Sequence, residues 1–200
     1  MYQGKSVVLA SQSPRRKQLL EQAGIPFEVK VVETAETFPP DMPVPEVPLH
    51  IARQKAAAVT ALCTENDIII AADTVVVLDN IIIGKPKDRD DAIRILTALG
   101  GRTHLVITGV VIKQGSREYA FSKTTEVHFK PLTHAQVVYY IDHYKPYDKA
   151  GAYAIQEWIG AVGIDRIDGC FYNVMGLPVS RVVEELGKWN GNGAGTGGKM

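Results

Sequence analysis

Ser11-Gln12-Ser13-Pro14-Arg15-Arg16 stands between two stretches of different periodicity, and its reading sets the fold. The residues before it, 6–10, are short, apolar and β-branched, which predicts a buried strand. After it, Lys17 to Ala23 places Leu19, Leu20 and Ala23 on one helical face, and Gly24 ends the helix. Pro14 suits the first helical turn because its φ is already helical and it has no N–H to leave unpaired. Ser13 is then the natural N-cap. A strand that empties into a helix N-terminus gathers backbone N–H groups, the Ser11 and Ser13 hydroxyls and the Arg15 and Arg16 guanidiniums, a set that suits a polyanion. On these six residues alone a capped helix with two solvated arginines is an equal alternative.

Outward from this turn the pattern is mixed α/β. Residues 26–32 alternate as a second strand, and 33–48, with five prolines and four acidic residues, reads as a surface loop that carries Glu36. Residues 49–62 form an alanine-rich helix with Ile51, Ala52, Lys55, Ala56 and Val59 on one face. Residues 67–72 predict a strand buried on both faces, ending in Asp73-Thr74 and followed by a second apolar run, 75–78. A hairpin through Asp79-Asn80 leads to Ile81–Ile83 and then Gly84-Lys85-Pro86. A helix over 88–99, strands over 103–113 and 118–129, and a helix over 133–144 come next. Residues 146–156 are small and polar, 160–168 read as another strand, and the last helix covers 178–186. These elements predict one domain over 1–188, and 189–200 read as a flexible glycine-rich tail.

Composition narrows the function. The 200 residues hold 22 Lys and Arg against 22 Asp and Glu, so bulk nucleic-acid binding has no electrostatic basis and any anion site must be local. Cys63 and Cys170 lack metal or redox spacing and read as buried, reduced thiols. No signal-peptide stretch and no run of membrane-spanning length is present, which predicts a cytoplasmic globular protein. The five histidines offer no ligand pair on one face, and no P-loop occurs.

Three other positions carry candidate chemistry. Asp73, between two apolar runs, is costly to bury without hydrogen bonds, a cation or a metal, although an Asp capping a turn has the same local pattern. Lys55, a cation on an apolar stripe, either snorkels or aims its ammonium into a cleft to meet phosphate. Gln156 has an amide able to pair with a base edge, although the residues alone favour a loop tied by the Asp148–Lys149 neighbourhood.

Several motifs now occur in a fixed order: Leu9-Ala10-Ser11-Gln12-Ser13-Pro14-Arg15-Arg16, Ala52-Arg53-Gln54-Lys55-Ala56, Ala72-Asp73-Thr74-Val75-Val76, Gly84-Lys85-Pro86, Gly101-Arg102-Thr103-His104, and Asp148-Lys149-Ala150-Gly151-Ala152-Tyr153 with Ile155-Gln156. With Val174-Met175-Gly176-Leu177-Pro178 they closely resemble the Maf family of nucleoside triphosphate pyrophosphatases, from about Lys5 to Leu186. The resemblance implies an α/β fold with a long mixed β-sheet flanked by helices, two lobes around a central cleft and, in many members, a homodimer. It implies hydrolysis of a nucleoside triphosphate to the monophosphate and pyrophosphate with Mg²⁺ or Mn²⁺. Arg15, Thr74 and Gln156 match the subgroup acting on dTTP and UTP. Ser11, Ser13, Arg15, Arg16, Lys55 and Lys85 would then hold phosphates, Thr74 and Gln156 would select the base, Asp73 would act on the attacking water, and Asp73 with Glu36 would hold the metal. A nucleotide-binding regulator of cell division that binds without cleaving is the competing reading.

Overall fold

The computed structural model describes residues 4–190; the glycine-rich tail predicted beyond that point lies outside the described residues. Seven strands form one mixed sheet: β1 (Val7–Leu9), β2 (Glu28–Val29), β3 (Ile68–Leu78), β4 (Ile81–Ile83), β5 (Thr103–Gln114), β6 (Arg117–Phe129) and β7 (Ile164–Asp168). Their order is β2-β1-β3-β5-β6-β7, with β4 paired to the far part of β3. β1 runs parallel to β2 and β3, and the remaining pairings are antiparallel. Helices α1 (Pro14–Gln22), α2 (Val47–Val59), α3 (Arg89–Leu99), α4 (His134–Tyr144), α5 (Trp158–Gly163), α6 (Phe171–Val174) and α7 (Val179–Asn190) flank it.

The long strand β3 organises the packing through its two-residue alternation. Ile68, Ile70, Ala72, Val76 and Leu78 join the larger core, which also contains Leu19 and Leu20 of α1, Leu96 of α3 and Leu186 of α7. Ile69 and Ala71 face the other way and meet Ala52, Ala56 and Val59 of α2. Val75 and Val77 continue that face against Ile51. By the same alternation Asp73 belongs to the α2 side and Thr74 to the side of the larger core.

Four sequence expectations differ from the structure. Asp73 and Thr74 do not end a strand; they lie inside an uninterrupted β3, opposite Gly109 and Thr108 of β5. The second strand contracts to Glu28–Val29, because its valines are exposed at the sheet edge instead of alternating into a core. The segment 160–168 is split: its first half completes α5, and only 164–168 pair with β6. Helix α7 runs on to Asn190, since Trp189 is buried in the core with the Arg117 guanidinium 4.1 Å from its ring centroid. Cys63 and Cys170 are free and only half-buried.

Candidate active site

The turn between β1 and α1 forms one wall of a cleft with a volume of about 910 Å³, within the roughly 300–1,000 Å³ usual for small-molecule sites. Ser11 closes the turn: its Oγ accepts from the Ser13 N–H at 3.2 Å and from Arg16 Nη1 at 3.1 Å. Ser13 occupies the N-cap position, but its hydroxyl makes no capping hydrogen bond. The Arg15 and Arg16 N–H groups at the start of α1 therefore have no side-chain cap, which keeps the helix terminus suited to an anion.

Arg16 is buried and fully engaged. Its Nε donates to the Gly176 carbonyl at 2.8 Å, its Nη1 to Ser11, and its Nη2 to Thr74 Oγ1 at 3.0 Å. Burial presses its pKa downward, opposed by the charge of Asp73. Among the described residues no carboxylate forms an ion pair with it, so its charge is fixed at the cleft wall without a direct counter-ion. A group in that position favours an incoming anion.

Lys55, one turn beyond Ile51 on the buried face of α2, reaches across to the middle of β3. Its Nζ donates to Asp73 Oδ1 at 2.6 Å and lies 2.9 Å from Glu36 Oε1. The helix approaches this closely because β5 has no side chain at Gly109: a Cβ there would lie 2.3 Å from the Leu49 backbone nitrogen. Glu36 holds a left-handed backbone, φ 49°, an uncommon state for a non-glycine residue. Burial works to raise its pKa, but the hydrogen bond and charge of Lys55, with Lys85 and Arg16, hold it below the ordinary carboxylate value.

The opposite wall comes from the segment 148–154. Arg15 Nη1 lies 3.6 Å from Asp148 Oδ2, and Lys149 Nζ donates to Asp148 Oδ1 at 2.7 Å. Lys149 also lies 3.7 Å from Glu157, which accepts from the Tyr140 hydroxyl. Lys85, exposed at the exit of β4, completes the rim.

Ser11, Ser13, Arg15, Arg16, Glu36, Lys55, Asp73, Thr74 and Lys85 all line the one cleft. Gln156 is not among its lining residues and is exposed, although the nearby Tyr153 and Ala154 line it. Thr74 lines the cleft, but its hydroxyl is shared with Arg16 and, at 2.9 Å, with Thr108. Thr108 donates to the Asn173 carbonyl at 3.1 Å, and Asn173 Nδ2 donates to Val106 O and Thr125 Oγ1, both at 3.0 Å. Sequence reasoning missed this buried polar spine. Its signal was present only as Thr108 inside the apolar run of β5; Thr125, between Thr124 and Glu126 of β6, has polar neighbours and gave none.

The donor set around Lys55 can be tested against a divalent cation. Among the described residues no group of three or more His, Cys, Asp or Glu side chains is placed to hold a metal ion. Glu36 and Asp73 nevertheless converge on one point, each with an oxygen within 3 Å of the Lys55 ammonium. Two hard carboxylates completed by water and phosphate oxygens are the usual protein share of a Mg²⁺ site, so the residues fit such an ion.

The fold and cleft define a mixed α/β protein with an anion-binding turn facing a carboxylate–lysine cluster. The chain belongs to the Maf family: the family model described as Maf-like protein matches residues 6–189. Among curated relatives, a dTTP/UTP pyrophosphatase of Phocaeicola vulgatus is 49% identical over 183 residues, covering 91% of this chain and 95% of that relative. A dTTP/UTP pyrophosphatase of Cytophaga hutchinsonii is 50% identical over 182 residues, covering 91% and 83%. Among solved structures, a nucleoside-triphosphatase described as a dITP/XTP pyrophosphatase from Mycobacterium abscessus aligns over 64% of this chain and 75% of its own, at 15% identity and a TM-score of 0.38. Among the described residues no helix is long and apolar enough to cross a membrane.

Proposed function

We propose that this protein hydrolyses dTTP and UTP to the nucleoside monophosphate and pyrophosphate. The names of its relatives support the substrate class, and the observation that carries the chemistry is the placement of Asp73. This carboxylate stands inside a buried strand and opens into a cleft with a cationic turn on one wall. The relatives at about half identity are named as pyrophosphatases, which weighs against the regulator reading.

A triphosphate carries about four negative charges, and the chain answers them with fixed positive groups. The α1 terminus and the Ser13 hydroxyl donate to phosphate oxygens, Arg15 and Lys85 add two further cations, and the buried Arg16 guanidinium supplies charge from behind Ser11 and Thr74. Asp73 orients a water against the α–β anhydride and takes its proton. The new P–O bond forms as the anhydride bond breaks, and the leaving group departs as pyrophosphate when the α-phosphorus is attacked. Glu36 and Asp73 would hold a divalent ion, which supplies charge neutralisation at the phosphates when bound. Positioning and charge neutralisation provide most of the acceleration, as is general in phosphoryl chemistry. Base choice falls to the region of Thr74 and Gln156; Gln156 meets the base by turning its amide inward from beyond Ala154.

The test is pyrophosphate release from dTTP, UTP, CTP, dATP and GTP with Mg²⁺ or Mn²⁺, comparing wild type with Asp73→Asn. The wild type is expected to prefer dTTP and UTP. Asp73→Asn is expected to fold and bind nucleotide while kcat falls at least about a hundredfold, the scale of a lost general base. A nucleotide-binding wild type that releases no pyrophosphate would establish the regulator instead.

A further inference from the structure

The Lys55 ammonium already fills the point where the two carboxylates meet, 2.6 Å from Asp73 and 2.9 Å from Glu36. It is held there firmly: its side chain is only 16% exposed, and the seat of α2 against Gly109 fixes the helix that carries it. A divalent ion cannot share that seat, because two cations at contact distance repel strongly wherever solvent is partly excluded. The wider field points the same way. Five cationic side chains line the cleft against four carboxylates, so the site is net positive before any ligand arrives. An ion entering alone would have to strip Lys55 of both partners and face Arg16, whose charge has no direct counter-ion among the described residues.

A triphosphate reverses these terms. Its roughly four negative charges change the sign of the local field, its oxygens offer Lys55 a new partner, and the same oxygens complete the coordination of a hard cation. We propose that Lys55 is a surrogate cation that excludes divalent metal from the nucleotide-free cleft, so that the ion enters only with the nucleotide and Lys55 then transfers to a phosphate. The inference rests on the function proposed above, and it makes Lys55 the residue that sets the order of binding.

The test is a Mn²⁺ titration of the full chain without nucleotide, read by electron paramagnetic resonance of the free ion. The wild type is expected to bind Mn²⁺ weakly and Lys55→Met at least tenfold more tightly. Lys55→Arg should remain like wild type, and adding Glu36→Gln to Lys55→Met should remove the gain. Lys55→Gln replaces Lys55→Met should the latter lose its melting transition. Wild-type affinity equal to that of the neutral variants overturns the proposal, as does a gain that survives Glu36→Gln. Pyrophosphate release by wild type, measured on the same preparation, separates this from the proposed function. Tight Mn²⁺ binding by an active wild type removes only the ordering, whereas an inactive wild type with the expected titrations removes only the hydrolysis.

Discussion

His104 lies behind Tyr153 of the cleft wall, its Nε2 2.7 Å from the Tyr153 hydroxyl and its ring edge-on to Phe129. Its Nδ1 is buried and, among the described residues, has no hydrogen-bond partner. Burial, with a smaller contribution from the charge of His128, lowers its pKa to about 4. The unfolded chain takes up the proton near pH 6.5, as an unperturbed histidine does, while the folded protein refuses it until about pH 4. Between those values the unfolded state binds more protons, so this residue's contribution to stability is full above pH 6.5 and is lost as pH falls toward 4. Each pKa unit corresponds to about 1.4 kcal/mol, which gives a loss of roughly 3 kcal/mol. Denaturant unfolding of wild type and His104→Phe at pH 7 and pH 4.5 checks this: the variant is expected to be less stable at pH 7 yet to lose less on acidification. Equal losses would show that other groups govern the acid sensitivity. The histidine count and spacing gave no hint of this role, because burial by Tyr153 and Phe129 arises from strands and loops distant in sequence.

At the scale of elements, the seat of α2 on β5 decides whether the cluster exists. Gly109 pairs with Asp73 across the sheet, and a methyl group there would sit 2.3 Å from Leu49 N and 2.5 Å from the Pro48 carbonyl carbon. These are backbone atoms, so Gly109→Ala must lift the start of α2, at the cost of about 1–3 kcal/mol typical of overpacking. Lys55 travels with that helix. A displacement of about 1 Å can cost on the order of a hundredfold in rate, so thermal melting should show moderate destabilisation while kcat falls far more than the fraction unfolded explains. Unchanged kcat in the folded variant would mean that the Lys55–Asp73 contact tolerates the shift. The strand–turn–helix at Ser11 to Arg16 and the apolar face of α2 were legible in sequence because each is fixed by its own periodicity. Continuity of β3 through Asp73 and Thr74 was not, since a carboxylate inside a central strand is stabilised by Lys55 and its neighbour Thr74 by Arg16, partners 18 and 58 residues away. Gly160 illustrates the same limit: the chain there is helical, and its N–H donates to the Glu157 carbonyl at 2.9 Å, while the bare sequence reads as strand.

Across the whole molecule the cleft joins walls that the chain reaches at widely separated points. Ser11 to Arg16 and Lys55 stand on one side, Asp148 to Ala154 on the other, and Gly176 returns to hold Arg16. The candidate phosphate residues could be gathered in advance through motif order, but the sequence could not show that Arg15 faces Asp148 across the opening at 3.6 Å. Nor could it show that Gln156 lies beyond the cleft, because both depend on how the segment after α4 folds back. A nucleotide spanning these walls binds the folded state alone and must therefore stabilise it. With a nonhydrolysable α,β-imido analogue of dTTP at 100 times its Kd, mass action gives about 2.7 kcal/mol. For a chain of this size that corresponds to a rise in Tm of about 5–10 °C. Pyrophosphate at the same concentration should give a smaller rise, because it reaches the cationic turn without engaging the base side of the cleft. Differential scanning fluorimetry with the two ligands and Mg²⁺ measures both shifts. Equal shifts would place the binding energy in the phosphates alone and leave the base side of the cleft without a role in affinity, and no shift with the analogue would remove the cleft as a nucleotide site.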